Sequence, residues 1–265
     1  MAITTLDGYI AAPKQRVKIN KSASRAAIAL IPFGIFDLAG NVGAGVLAGT
    51  DTANGLVPTD ATVGTPPINA FGGGSTGYLT GVDFSSSVAC QIRLFDLLFK
   101  AGAYAFNANV TLSAQPSYAS RVPSGTDFSG TELWIEAVTA FTGLQTITVT
   151  YTNQSGVAGR TTGAIATAVA PTVGRMLMLP LQAGDSGVRK IESVVSSVST
   201  VGTFNVYVLR GLWTGRVKIA NDGDIHDQFK TGAPVVFADS AIIAVITPDS
   251  TATGLPRIEA VIADG

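Results

Sequence analysis

Several groups of residues have the types and spacing that chemistry uses. Gly184-Asp185-Ser186-Gly187 matches the tetrapeptide around the nucleophile of trypsin-like serine proteases. That chemistry needs a histidine base earlier in the chain than the serine. The single histidine, His226, comes after it, and no Gly-Gly-Pro continuation follows. A tight turn accounts for both glycines. Asp222-Gly223-Asp224-Ile225-His226-Asp227 is the ligand-rich cluster. In an extended chain Asp222, Asp224 and His226 project to one side, offering oxygen and nitrogen donors to a divalent cation. The glutamate that closes a helix-loop-helix calcium loop is missing, so an acidic turn with a surface histidine is the expectation. Gly72 to Gly77 has the glycine spacing of a dinucleotide fingerprint, but Pro66-Pro67 precedes it where a strand is needed. Glu132 and Glu136 stand four residues apart on a predicted strand, roughly 13 Å at strand rise. That is too wide for a glycosidase pair. No catalytic constellation remains, and neither an enzyme activity nor a metal or cofactor is expected.

The composition narrows the classes further. There are 17 basic and 18 acidic residues, one histidine and one cysteine, for a net charge of −1. One cysteine excludes an internal disulfide and, with one histidine, a cysteine-histidine zinc site. Charged residues make up 13% of the chain, about half the usual share. The near-zero net charge gives no general drive toward nucleic acid or an anionic membrane. The mean hydropathy is +0.37, yet the longest apolar candidate, 26–36, is too short to span a bilayer and contains Pro32 and Gly34. The start of the chain lacks the pattern of an export signal. Synthesis in a cytoplasm and a soluble product are therefore expected.

Along the chain, residues 1–82 read as an extended basic arm followed by a Gly/Thr/Pro-rich excursion. Lys14, Arg16, Lys18, Lys21 and Arg25 cluster near its start, as a contact for an acidic surface or as the lysine-rich pattern of an edge strand. Residues 37–81 are expected to be a functional loop or an arm ordered on a neighbouring subunit, with Phe71 and Tyr78 as apolar anchors. Residues 83–265 read as a β-sandwich-like or jelly-roll-like domain. One amphipathic helix is predicted near 86–100, because Val88, Ile92, Phe95 and Phe99 fall on one helical stripe. Cys90 is expected inside it as a small apolar filler. Strands are predicted at 131–138, 146–152, 175–181, 188–198, 203–209, 241–247 and 257–263. In the second of these, threonines alternate with Ile147, Val149 and Tyr151.

The segments Ile92-Arg93-Leu94-Phe95-Asp96-Leu97-Leu98-Phe99, Glu132-Leu133-Trp134-Ile135-Glu136, Val149 to Gly156 with Gly159-Arg160-Thr161, and Leu179 to Arg189 resemble virion structural proteins of tailed bacteriophages. The resemblance covers about the middle half of the chain. It implies a capsid-associated or decoration protein in the virion, made in the host cytoplasm. Its partners would be copies of itself and another virion protein such as the major capsid protein, with no sequence-specific nucleic acid and no membrane. A tail, collar or baseplate protein and a glycan-binding adhesin are the alternatives. The residues expected to make partner contacts are Arg16, Lys18, Lys21, Arg25, Phe71 and Tyr78. Deletion of residues 1–25 is expected to stop assembly and leave the β domain folded.

Overall fold

The computed structural model describes residues 5–72, 76–105, 109–143, 146–166, 172–196 and 201–265. It is a layered antiparallel β fold, in agreement with the mainly-β, sandwich-like expectation. Its centre is a seven-stranded sheet ordered β12 (Met176–Leu179), β8 (Thr131–Thr139), β14 (Thr203–Val217), β6 (Cys90–Ala105), β17 (Ile242–Pro248) and β2 (Phe33–Gly34), with β4 (Asp51–Leu56) also beside β6. A second sheet runs β15 (Asp222–His226), β5 (Thr76–Ser86), β18 (Arg257–Asp264), β1 (Lys14–Lys21) and β3 (Gly40–Asn41). In it β16 (Val235–Phe237) also pairs with β5. A third runs β10 (Arg160–Thr161), β9 (Thr146–Asn153), β13 (Val188–Ser196) and β7 (Val110–Thr111), and β11 (Ile165–Ala166) also pairs with β9. Two short helices, α1 (Leu6–Ala11) and α2 (Gln228–Thr231), lie outside the sheets.

The two long central strands tie the layers together. Near the start of β6, Cys90, Ile92 and Leu94 join Val82, Phe84, Ile258 and Ile262 of the second sheet in one apolar core. Farther along, Leu98, Phe99 and Ala101 join Val149, Tyr151, Ile191 and Val194 of the third sheet in another. On the opposite face, Phe95, Leu97, Trp134, Tyr207 and Ile243 form a third cluster with Phe36. The second and third sheets thus sit end to end on one face of the central sheet.

The predicted helix near 86–100 is replaced by the end of β5 and most of β6. The apolar spacing misled because β6 is buried on both faces: Leu94, Phe95, Leu97, Leu98 and Phe99 are each at most 2% exposed. A strand covered on both sides reads as an unbroken apolar run, without the alternation that marks a half-buried one. A bulge adds to the effect, since Val208 pairs with Phe99 and Leu209 with Leu97, leaving Leu98 as an extra residue. Cys90 is buried in this strand, and burial raises its thiol pKa. The strands predicted downstream are present. In β9 the threonines face outward while Ile147, Val149 and Tyr151 are fully buried. Residues 73–75 of the predicted excursion and 197–198 of the predicted strand 188–198 lie outside the described residues.

The division into an arm, 1–82, and a β domain, 83–265, is also corrected. β1 pairs with β18 along its whole length. β5 crosses the supposed boundary, and Val17, Ile19, Ile35, Ile68 and Phe71 are buried in the same core as Ile92 and Ile258. Deleting residues 1–25 therefore removes a strand of the second sheet. The described part of the 37–81 excursion packs on its own chain: Gly45 N–H donates to Phe36 O, and Lys100 Nζ to Val46 O at 2.6 Å.

Candidate functional site

The residues singled out from sequence separate into two groups. Arg16 and Lys18 stand on the outer face of the second sheet, with side chains 65% and 50% exposed. Both reach Glu259, which pairs directly across from Lys18; Lys18 Nζ is 3.0 Å from Oε2. Arg16 and then Lys18 lower the pKa of Glu259 by holding its charged form. Tyr78 lines an open groove between α1, β5 and α2, with Leu6, Tyr9, Thr80 and Phe229 around it. Phe229 is 85% exposed.

Lys21, Arg25 and Phe71 are committed inside the chain, which corrects their assignment as partner contacts. Lys21 shares the inward phase of Val17 and Ile19, and its ammonium donates to Leu38 O at 2.9 Å and Val42 O at 3.2 Å. Burial lowers its pKa, and Asp37 acts in the opposite sense. Arg25 forks onto both carboxylate oxygens of Asp37 at 2.6 Å. Phe71 is buried in the core shared by the central and second sheets.

The cluster Asp222, Asp224 and His226 forms the outer strand β15. His226 is held as a ring in an aromatic corner: its Nδ1 accepts from Trp213 Nε1 at 3.0 Å, and Phe84 packs edge-on at 5.1 Å. Its Nε2 lies 3.4 Å from Asp224 Oδ2. Asp222 and Asp224 each accept, at 2.8 Å, the backbone N–H of the following residue. Among the described residues no group of three His, Cys, Asp or Glu side chains is placed to hold a metal ion.

Gly184-Asp185-Ser186-Gly187 is a turn between β12 and β13. Asp185 organises it by accepting from Tyr151 Oη, Asn153 Nδ2 and Arg160 Nε at 2.7, 2.7 and 2.9 Å. Arg160, followed by Asn153 and Tyr151, holds the Asp185 carboxyl down at about 2 against the opposing effect of burial. A Cβ on Gly187 would lie 1.9 Å from Phe128 O, so the glycine permits a close backbone approach. Glu132 is paired with Arg93 and with Trp134 Nε1. Trp134 and Trp213 are 3% and 6% exposed, so neither supplies the open aromatic platform of a glycan site.

Sequence reasoning missed the interior polar clusters. Asp96 is fully buried on β6, at the seam between the two cores it joins. Its Oδ1 accepts from Arg121 at 2.6 Å and Ala241 N–H at 3.0 Å; Oδ2 accepts from Ser240 at 2.8 Å and Arg210 at 3.1 Å. Arg121 also donates to the carbonyls of Pro58, Leu97 and Asp239. On the opposite face Glu136 Oε2 accepts from Tyr207 Oη at 2.5 Å. Burial raises the Glu136 pKa to about 7 despite that bond and the nearby Lys100 and Arg25 charges. The signal that was available is Asp96 itself, a lone acid inside the run Leu94-Phe95-Asp96-Leu97-Leu98. An acid in such a run requires buried donors.

No protein-family model matches the chain, and no curated protein matches it. Among solved structures, the VP2 subviral particle of infectious bursal disease virus aligns over 95% of this chain and 79% of that one. The identity is 10% and the TM-score 0.22. T=1 particles derived from the same virus align over 95% and 76%, at 9% identity and a TM-score of 0.19. Likeness at these TM-scores carries neither fold detail nor function across. Among the described residues no helix is long and apolar enough to cross a membrane.

Proposed function

We propose that the chain is a structural subunit of a virus particle, bound to the head of a tailed phage as a capsid-associated or decoration (cement) protein. In this reading it is made in the host cytoplasm and works in the virion. Its partners are copies of itself and the major capsid protein, and it performs no catalysis. The observation that carries the reading is where the charges sit. In a chain with only 13% charged residues, Lys21, Asp96, Lys100, Arg121, Glu136, Arg175 and Arg210 are all buried. The surface that remains is weakly charged and displays Leu6, Ile10, Ile225 and Phe229, each at least 65% exposed. Such a surface suits a protein whose neighbours cover it. The resemblance to virion structural proteins in the middle half of the sequence supports the same class.

The test is negative-stain imaging of purified particles carrying a label on this chain. Label over the head surface is the expected result. Label confined to the tail, collar or baseplate would overturn the head assignment and leave the chain a virion component. Particles without label would overturn the reading as a whole.

A further inference from the structure

We infer that a cavity on the face of the central sheet that carries Lys100 binds a small aliphatic monocarboxylate, a fatty acid of about six carbons, with its carboxylate on the Lys100 ammonium. The site lies within one copy of the chain, so it stands apart from the structural-subunit reading.

Residues between 36 and 63 fold over β6 here and enclose a cavity of about 200 Å³. Phe36, Leu97 and Lys100 are buried and form its floor. Val46 and Val63, 60% and 67% exposed, stand at its mouth, with Leu56 on the wall. Hydrogen bonds pin the covering segment to the sheet. Asn205 Nδ2 donates to Leu47 O at 2.6 Å, and Gly49 N–H donates to Asn205 Oδ1 at 2.8 Å. The walls are thus fixed on both sides, and the space is formed before any ligand arrives. A cavity of about 150 Å³ takes benzene, so about 200 Å³ takes a ligand of about eight heavy atoms, such as hexanoate.

The charge of Lys100 selects the ligand class. Other buried cations are met inside the chain: Arg25 by Asp37, and Arg121 and Arg210 by Asp96. Lys21 spreads its donors over the carbonyls of Leu38 and Val42. Among the described residues Lys100 pairs with no carboxylate. Its ammonium has one acceptor, Val46 O at 2.6 Å, and lies 5.3 Å and 5.8 Å from the Phe36 and Tyr207 ring centres. Val46 and Phe36 both line the cavity, so the ammonium sits at its wall. An ammonium has three N–H donors, and the one carbonyl leaves two for a ligand. Burial lowers the Lys100 pKa, while the Glu136 and Asp37 charges act in the opposite sense. A carboxylate brought to the ammonium relieves that burial. Among the described residues lining the cavity Lys100 is the only charged one. One ammonium balances one negative charge, and the aliphatic wall takes an alkyl tail. A phosphate would leave a second charge and further oxygens without donors.

Isothermal titration calorimetry of the full chain with hexanoate tests this, with folding followed by circular dichroism. Saturable binding of one hexanoate per chain, with Kd below about 5 mM, is expected. Hexan-1-ol keeps the tail without the charge, and acetate keeps the charge without the tail. Each is expected to bind at least about tenfold more weakly than hexanoate. Lys100→Met is expected to weaken hexanoate at least about tenfold and to leave hexan-1-ol within about twofold. Val63→Trp fills the mouth from an exposed position and is expected to weaken hexanoate at least about tenfold with the fold intact. No saturation by about 5 mM hexanoate would overturn the site. Equal binding of hexanoate and hexan-1-ol, or of hexanoate by Lys100→Met, would overturn the pairing with the ammonium. Equal binding by Val63→Trp would put the ligand elsewhere and overturn the cavity. If Lys100→Met does not fold, the comparison of hexanoate with hexan-1-ol and the Val63→Trp variant decide the matter.

Discussion

Arg121 has no exposed surface, and its guanidinium serves Asp96 together with three backbone carbonyls. Replacing it by methionine keeps much of its volume and leaves Asp96 short of its main donor. Breaking a buried pair from one side costs about 3–5 kcal/mol. Arg121→Met is expected to lose that much in urea unfolding, and a loss under about 1 kcal/mol would show that Arg210 and Ser240 suffice. Glu136 behaves differently. Its carboxyl titrates at about 7 in the fold against 4.5 as a free side chain. A raised carboxyl stabilises the fold fully below the lower value and loses that contribution as pH rises through the upper one. At about 1.4 kcal/mol per pH unit the loss approaches about 3 kcal/mol. Unfolding free energy is expected to fall between about pH 4.5 and about pH 7 in the native chain and to lose that component of the slope in Glu136→Gln. Equal slopes in both would remove Glu136 as the cause. At this scale the sequence was partly legible. Lys21 shares the two-residue phase of Val17 and Ile19, which marks it as inward-facing despite its charge. Nothing local marked Arg121, because its partners come from the distant segments around Pro58, Asp96 and Asp239.

The turn from β12 to β13 shows how an element explains a motif. Ser186 is exposed and gives its N–H to Gln154 Oε1, whereas Gly187 meets Phe128 O at a distance no Cβ tolerates. Ser186→Ala is expected to change stability by less than about 0.5 kcal/mol, and Gly187→Ala to lower it by about 2 kcal/mol or more. Thermal melts of the two variants check this, and the reverse order would restore a role for the serine. Elements buried on one face were readable. β9 announces itself through strict alternation, and β8, β13 and β18 through their β-branched content and bounding turns. β6 was not, because burial on both faces and the bulge at Leu98 erased the period. The amino-terminal segment was misread for a related reason. Its anchors are single residues, Lys21 and Arg25 in the basic cluster and Phe33 and Phe36 in the short apolar run 26–36, and no local period ties them to the sheets they join.

At the scale of the molecule, β6 and β14 run through both cores and share one long ladder, from Thr203↔Ala105 to Val217↔Cys90. The Asp96 cluster sits where those cores meet. The two halves are therefore expected to unfold together, in a single calorimetric transition whose van't Hoff and calorimetric enthalpies agree. Two resolved transitions would show that the seam does not couple them. A scaffold that holds much of its charge inside, as at Asp96 and Arg121, leaves a weakly charged outer surface, and the role proposed for the chain uses that surface as a joint. The most direct measurement is its copy number in purified particles, by quantitative mass spectrometry against the major shell protein. A fixed stoichiometric ratio across preparations is the predicted result. Absence, or a trace amount that varies between preparations, would contradict the account.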